Sequence, residues 1–311
     1  MDKKDLKIIY LGTPDFAVES LRALVENGYN VVAVVTMPDK PAKRGHQLQF
    51  SPIKEYALSV GLPVLQPERL KDPDFIEQLR SFNADLQIVV AFRMLPEIVW
   101  DMPRFGTFNL HASLLPQYRG AAPINWAIIN GETTTGITTF FLKHDIDTGN
   151  IILQESIPIG ENENVGSVHD RLMNLGAQLV LQTVDLILSG NVPTTPQQDS
   201  GNLKPAPKLF KETCEINFNQ SPQAIHNFVR GLSPYPTAWT QLNINGKEDV
   251  YKIYEVEPLN IAHHLSAGSI QTDLKTYLHV ACKDGFVNIL SIQAPNKKRM
   301  NIRDFLNGIH A

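Results

Sequence analysis

Residues 7–36 read KIIYLGTPDFAVESLRALVENGYNVVAVVT. Lys7–Gly12 is apolar and ends in glycine. Phe16, Val18, Leu21, Leu24 and Val25 then recur near helical spacing between Pro14 and Asn27, and Val31–Thr36 is apolar again. That order predicts strand, amphipathic helix, strand. Both strands are apolar throughout instead of alternating, which marks strands covered on both faces and hence a parallel sheet. The rhythm continues with a helix over Pro52–Val60, a strand over Leu62–Leu65, a helix over Asp74–Phe82 and a strand over Asp85–Phe92 (DLQIVVAF). The predicted class is α/β, an open doubly wound sheet, and such sheets bind ligands outside the carboxyl ends of their strands. Gly12-Thr13-Pro14 follows the first strand without a G-x-G-x-x-G, so the loop argues against a nicotinamide dinucleotide.

With 311 residues the chain is long enough for two ordinary domains, and 43% hydrophobic against 19% charged residues excludes a disordered chain. No run approaches the roughly 18 consecutive apolar residues of a membrane helix. The opening MDKKDLKIIYLG enters a strand-like run instead of a signal peptide, so a cytoplasmic protein is expected. Cys214 and Cys282 are too few for a disulfide framework or a cysteine zinc site, and buried thiols are expected. The net charge of −4 argues against a nucleic-acid partner until it is divided: residues 1–203 carry −7 and residues 204–311 carry +3.

Beyond residue 100 the pattern predicts strands over Thr135–Leu142 and Ile151–Pro158 and a helix over Val168–Leu188. A stretch rich in Gly, Pro, Thr, Gln and Ser follows. We therefore expect a first domain over 1–189, a linker over 190–207 and a second domain over 208–311. The second domain reads as a helix (Pro222–Leu232), strands at Trp239–Asn245, Val250–Val256, Tyr277–Ala281 and Phe286–Ile292, and a short helix (Ile302–Leu306). A small β-barrel fits that order.

Thr107-Phe108-Asn109-Leu110-His111 ends a predicted strand, and its period of two puts Asn109 and His111 on one face. Histidine is the usual acid/base near neutral pH, and an asparagine amide can donate to a carbonyl oxygen that is becoming negative. The turn-rich loop Lys143–Asn150 carries Asp145 and Asp147, and a carboxylate there could reach back to orient His111. Taken singly, each of these is more often a satisfied polar group at a strand end or turn. The long loop Met37–Pro52 carries Lys40, Lys43 and Arg44 around Gly45, and reads equally as a solvated insert or as a clamp on a phosphate backbone.

The string Asn109–Ile124 (NLHASLLPQYRGAAPI) with Ile146-Asp147-Thr148-Gly149 downstream resembles the 10-formyltetrahydrofolate-dependent formyltransferase family. The resemblance is strongest to the branch that acts on methionine carried by initiator tRNA. It extends to Gly12–Ala17, Pro38–Gly45, Ala206–Leu209 and Ser233–Trp239 and so covers nearly the whole chain. It implies a Rossmann-like catalytic domain and an OB-like C-terminal barrel that helps hold tRNA, in a monomer. No metal is expected, because a formyl-amine is already an activated electrophile and no cluster of ligands stands at zinc spacing, and the lack of a long apolar run gives no expectation of a membrane. Carried over by residue, it makes Asn109, His111 and Asp147 the catalytic trio. The folate contacts become Ser113, Leu114, Leu115 and Pro116, Phe92, Arg93, Met94 and Leu95, and Asp145, Ile146 and Thr148. Lys40, Lys43, Arg44, Lys208, Lys297, Lys298 and Arg299 are the expected tRNA contacts, the last three equally readable as a solvated face.

Two positions depart from the family pattern. Ala91–Pro96 stands where an aromatic-Gly pair and a longer stretch are usual, and Asn150 replaces the Asp common after Thr-Gly, where a changed local hydrogen bond is expected. A sugar-nucleotide amine as acceptor, or a tRNA-binding protein with an inactive first domain, are the competing readings.

Overall fold

The computed structural model describes residues 2–41, 48–198 and 201–309. In chain order these form β1 (Lys7–Gly12), α1 (Val18–Glu26), β2 (Asn30–Val35), β3 (Lys40–Pro41), β4 (Leu48–Gln49), α2 (Pro52–Ser59) and β5 (Val64–Leu65). There follow α3 (Pro73–Ser81), β6 (Leu86–Val90), α4 (Glu97–Trp100), β7 (Thr107–His111), α5 (Pro123–Ile129), β8 (Thr134–Phe141), β9 (Ile151–Pro158) and α6 (Val165–Ser189). The remainder is α7 (Pro222–Leu232), β10 (Ala238–Ile244), β11 (Lys247–Leu259), β12 (Ile270–Thr272), β13 (Leu278–Ala281), β14 (Phe286–Gln293), β15 (Met300–Asn301) and α8 (Ile302–Gly308).

The chain packs as two units that do not follow a single cut. The segment up to Arg119, Gly136–Ile157 and His169–Lys204 make one; Gly120–Thr135, Pro158–Val168 and the chain from Pro205 make the other.

The first unit holds a seven-stranded sheet in the order β5-β2-β1-β6-β7-β8-β9. From β5 to β7 every pairing is parallel, and β8 runs antiparallel to β7. The sheet is doubly wound, as the apolar strands predict. Ile9, Leu11, Ala33, Val35 and Val89 on one face pack with Phe75, Ile76 and Leu79 of α3. On the other face, Leu110 meets α6 at Gly176, where a Cβ would stand 2.7 Å from Leu110 Cδ2. Helix α6 is long and apolar enough to cross a membrane by length and composition. It is nonetheless a packed helix, tied to β8 by a hydrogen bond between the buried Thr183 and Thr139 hydroxyls. Local chemistry sets the helix starts: Ser51 and Asp72 cap α2 and α3, and Pro52 and Pro73 occupy the first turns.

The second unit holds a six-stranded antiparallel sheet in the order β10-β11-β14-β13-β12, with β15 added beside β14. Register shifts on either side of Glu255 bend the long β11, as bulges do. The expected barrel is a half-barrel: among the described residues no pairing joins the three-residue β12 back to β10. Inside the curl, Ile225, Val229 and Leu232 of α7 pack with Ile253, Val280, Val287 and Ile289. Cys214 and Cys282 are both buried in this core as free thiols, as their small number led us to expect.

Candidate active site

Asn109 and His111 lie at the carboxyl end of β7, two residues apart on one face. Asn109 stands opposite Val89 of β6 and Phe140 of β8, and His111 opposite Thr138. Phe108 and Leu110 point the other way and are buried, so the strand spends alternate positions on the core and on chemistry.

His111 is buried, and its ring sits edge-on to Phe140. Its Nε2 is 2.9 Å from the Tyr118 carbonyl oxygen. A carbonyl only accepts, so Nε2 carries the hydrogen and Nδ1 is the nitrogen left for proton exchange. Nδ1 faces the Asp147 carboxylate, 3.9 Å from Oδ2. Next to it, Asn109 Oδ1 is buried with no hydrogen-bond partner. Such a group costs about 1–3 kcal/mol of desolvation. Such an atom calls for a partner from outside the chain, a ligand or a water, and Asn109 is the one that stands beside His111.

The loop after β8 delivers Asp147 in a left-handed backbone conformation, φ 54°. Gly149 makes the close return possible: a Cβ there would fall 1.5 Å from the Phe141 carbonyl oxygen. His144 anchors the far side through Glu97 at 3.2 Å and an edge contact with Trp100. Lys143 donates to Asn150 Oδ1 at 2.9 Å, which is the local bond that the departure at this position supplies. From the 190–207 stretch, Gln197 Nε2 donates to the Asp147 and Gly149 carbonyls, each at 2.8 Å. Sequence reading passed over Gln197 because it lies in a segment of linker composition.

Ser113–Pro116 is pinned by Thr138, whose hydroxyl donates to Ser113 O at 2.6 Å and accepts from Leu115 N at 3.2 Å. Ser113 and Leu115 are themselves buried, and Gln154 Nε2 donates to Leu115 O. In the neighbouring loops Leu95 is buried, Arg93 donates to the carbonyls of Pro67 and Glu68, and Met94 is 70% exposed. Ile146 is 58% exposed, Asp145 is exposed, and Thr148 donates to Asp145 O. Two apolar side chains thus stand in solvent on loops at the sheet's ligand edge, while the Arg93 head is occupied by carbonyls.

Of the basic residues, Lys43 and Arg44 lie outside the described residues. Lys40 is exposed at the foot of the β3–β4 ribbon. The ribbon's base is held by Asp39, whose carboxylate takes Lys54 Nζ at 2.5 Å and Gln66 Nε2 at 2.8 Å, both of which lower its pKa. In the second unit Lys208 stands over the exposed Phe210 ring. Lys297 and Lys298 are exposed, and Arg299 donates to Ser291 Oγ beside the Tyr254 ring. No group of three or more potential metal ligands occurs among the described residues.

Comparison with known proteins matches residues 6–184 to the formyl transferase family and residues 208–310 to the formyl transferase C-terminal domain. The chain is 63% identical to the methionyl-tRNA formyltransferase of Bacteroides fragilis, over all of this chain and 97% of that one. It is also 63% identical to that of Parabacteroides distasonis, over 99% and 97%. Among solved structures it resembles WlaRD, a sugar 3N-formyltransferase determined with dTDP and 5-N-formyl-THF. That likeness has a TM-score of 0.67 at 21% identity, over 94% of this chain and 99% of that chain, and at this identity it speaks for the fold.

Proposed function

The chain belongs to the formyl transferase family, and on that premise we propose that it transfers the formyl group of 10-formyltetrahydrofolate to the α-amine of methionine carried by initiator tRNA. The observation that carries the reading is the buried, unpartnered Asn109 amide oxygen beside a histidine held between a carbonyl and a carboxylate. Relatives named for methionyl-tRNA and matched over 97% of their length favour tRNA over a sugar-nucleotide amine as acceptor.

The Asn109 amide suits both reactants. Its NH2 donates to the formyl oxygen as that oxygen becomes negative, and Oδ1 accepts an N–H of the incoming amine. A single oxyanion donor is worth roughly 2.7–4 kcal/mol. An α-amine with a pKa near 8 is partly neutral at pH 7 and needs no covalent enzyme intermediate. One carbon–nitrogen bond forms and one breaks; the amine gives up a proton and the folate nitrogen gains one. His111 carries that proton at Nδ1, where the Asp147 carboxylate steadies it, while Nε2–H stays on Tyr118 O. The exposed Met94 and Ile146 supply an apolar rim for the flat pterin, and the fixed backbone of 113–116 borders it. The protein acts as a cytoplasmic monomer, with residues 1–189 catalytic, 190–207 a linker, and 208–311 together with Lys40, Lys43 and Arg44 gripping tRNA.

The test offers the protein 10-formyltetrahydrofolate with charged initiator tRNA, and separately with amino-sugar nucleotides, and measures formylated product. Formyl-methionine on tRNA is expected. Asn109→Ala and His111→Ala should each lose at least about a hundredfold in turnover while still binding folate. Near-normal turnover in either folded variant overturns the assignment.

A further inference from the structure

Gln197 is made by its two neighbours into a strut. Arg119 donates from Nε and Nη2 to Gln197 Oε1 at 3.1 and 2.7 Å. A guanidinium only donates, so the carboxamide oxygen must face it and the NH2 must face the other way. There Nε2 meets the carbonyls of Asp147 and Gly149 at 2.8 Å each. The residue just before Arg119 is Tyr118, whose carbonyl takes His111 Nε2, and Asp147 is the carboxylate on the Nδ1 side. One side chain therefore joins the two walls between which the His111 ring is held.

We propose that Gln197, oriented by Arg119, is a positioning residue that sets the spacing and orientation of His111 and Asp147 during formyl transfer. The inference rests on the catalytic reading above. A carboxamide alone meets both demands. Glutamate would satisfy Arg119 but present charge to two carbonyls, and lysine would satisfy the carbonyls but face a guanidinium. Asp147 sits at φ 54°, a left-handed conformation that is uncommon outside glycine. The two hydrogen bonds from Gln197 fall on that residue and on Gly149, two positions further along the turn.

The experiment compares the full-length protein with Gln197→Ala and Gln197→Glu, alone and combined with Asp147→Asn. Each single variant should lower kcat roughly 10–100-fold, with the KM for folate and for charged tRNA within about threefold. In the Asp147→Asn background the same change should cost less than about threefold more, because both act through one contact. Glutamate keeps the length and the Arg119 partner but loses both bonds to the turn carbonyls, so a loss shared with alanine assigns the effect to those two bonds and not to the contact with Arg119. A kcat within twofold of wild type in either single variant, or the full cost repeated beside Asp147→Asn, overturns the proposal.

Nitrogen NMR of the His111 ring without substrates separates this from the choice of acceptor. The wild type should show the Nε2–H form, and Gln197→Glu a mixture of tautomers. An unchanged ring refutes the strut whatever the enzyme formylates. A changed ring in a protein inactive on methionyl-tRNA leaves the strut standing and removes the acceptor.

Discussion

Replacing Gly149 with alanine perturbs the site without touching a catalytic atom. The new Cβ would lie 1.5 Å from Phe141 O, 2.7 Å from Phe141 C and 3.1 Å from Phe140 Cδ2. To restore an ordinary carbon–oxygen contact the two segments must part by roughly 2 Å. Three hydrogen bonds stand in the way: Phe141 N to Asn150 O, and Gln197 Nε2 to Asp147 O and to Gly149 O. At about 1 kcal/mol net each, their loss lowers stability by about 3 kcal/mol. The Asp147 carboxylate moves with the turn, away from a ring that it already meets at 3.9 Å. A misplacement of about 1 Å in such an arrangement can cost about a hundredfold in rate.

Urea unfolding and steady-state formyl transfer measure the two consequences. Gly190→Ala is the control. Unlike Gly149 it has a left-handed φ, 75°, and nothing lies within 4 Å of a new Cβ. It should lose only about 1–2 kcal/mol of stability and keep its turnover. The reasoning fails if Gly149→Ala matches Gly190→Ala in both measurements.

Burial pushes the Cys282 thiol up to about 11 and also raises Cys214. Since the thiolate is the nucleophile, iodoacetamide at pH 8 should label neither in the native protein and both in denaturant; native labelling at either position contradicts the burial. The Asp273 carboxyl is held well below the usual range by the Thr276 hydroxyl and by backbone N–H groups of Lys275, Thr276 and Tyr277. A depressed folded-state pKa gives stability that is present above the unfolded value and lost as pH falls below about 4. Asp273→Asn should therefore flatten the acid limb of the stability–pH curve, and an identical limb would show the turn to be unimportant. Arg44→Ala should raise the KM for charged tRNA and reduce its log–log salt slope by about 0.7–0.9, and unchanged values from 50 to 200 mM salt would take the loop out of the tRNA site.

Sequence reading places α7 to the residue and β7 by its end, and both carry their own signals. Thr107–His111 is closed by the motif itself, and α7 opens on a proline and ends at a clear break. The elements that escaped it are two to four residues long: the β3–β4 ribbon, α4, β12 and β15. No periodicity can be read over so few positions. The helix expected from Pro14 begins instead as a 3-10 turn over Asp15–Ala17. Tyr10 donates its hydroxyl to Ala17 O, and Gly12 lets Ala17 approach so closely that a Cβ would stand 2.7 Å away. That constraint comes from the preceding strand and leaves no trace in helical spacing.

The same distinction divides the site. One strand period puts Asn109 and His111 together in the sequence, whereas the turn leaves Asp145 and Asp147 both open and only the family resemblance singles out Asp147. Gln197 was invisible because its role consists of side-chain bonds to backbone carbonyls about 50 residues earlier, and a carbonyl looks alike in every residue. Unit membership escaped for the same reason. Gly120–Thr135 and Pro158–Val168 join the second unit through bonds such as Asn125 to Gly231 O and Arg230 to Gly160 O and Glu163 O. Neither segment differs in composition from its neighbours. Residues that act by donating to distant backbone are therefore where substitutions should surprise: a Gln197 variant alters no motif residue, yet it removes a side-chain link between the two walls of the histidine slot.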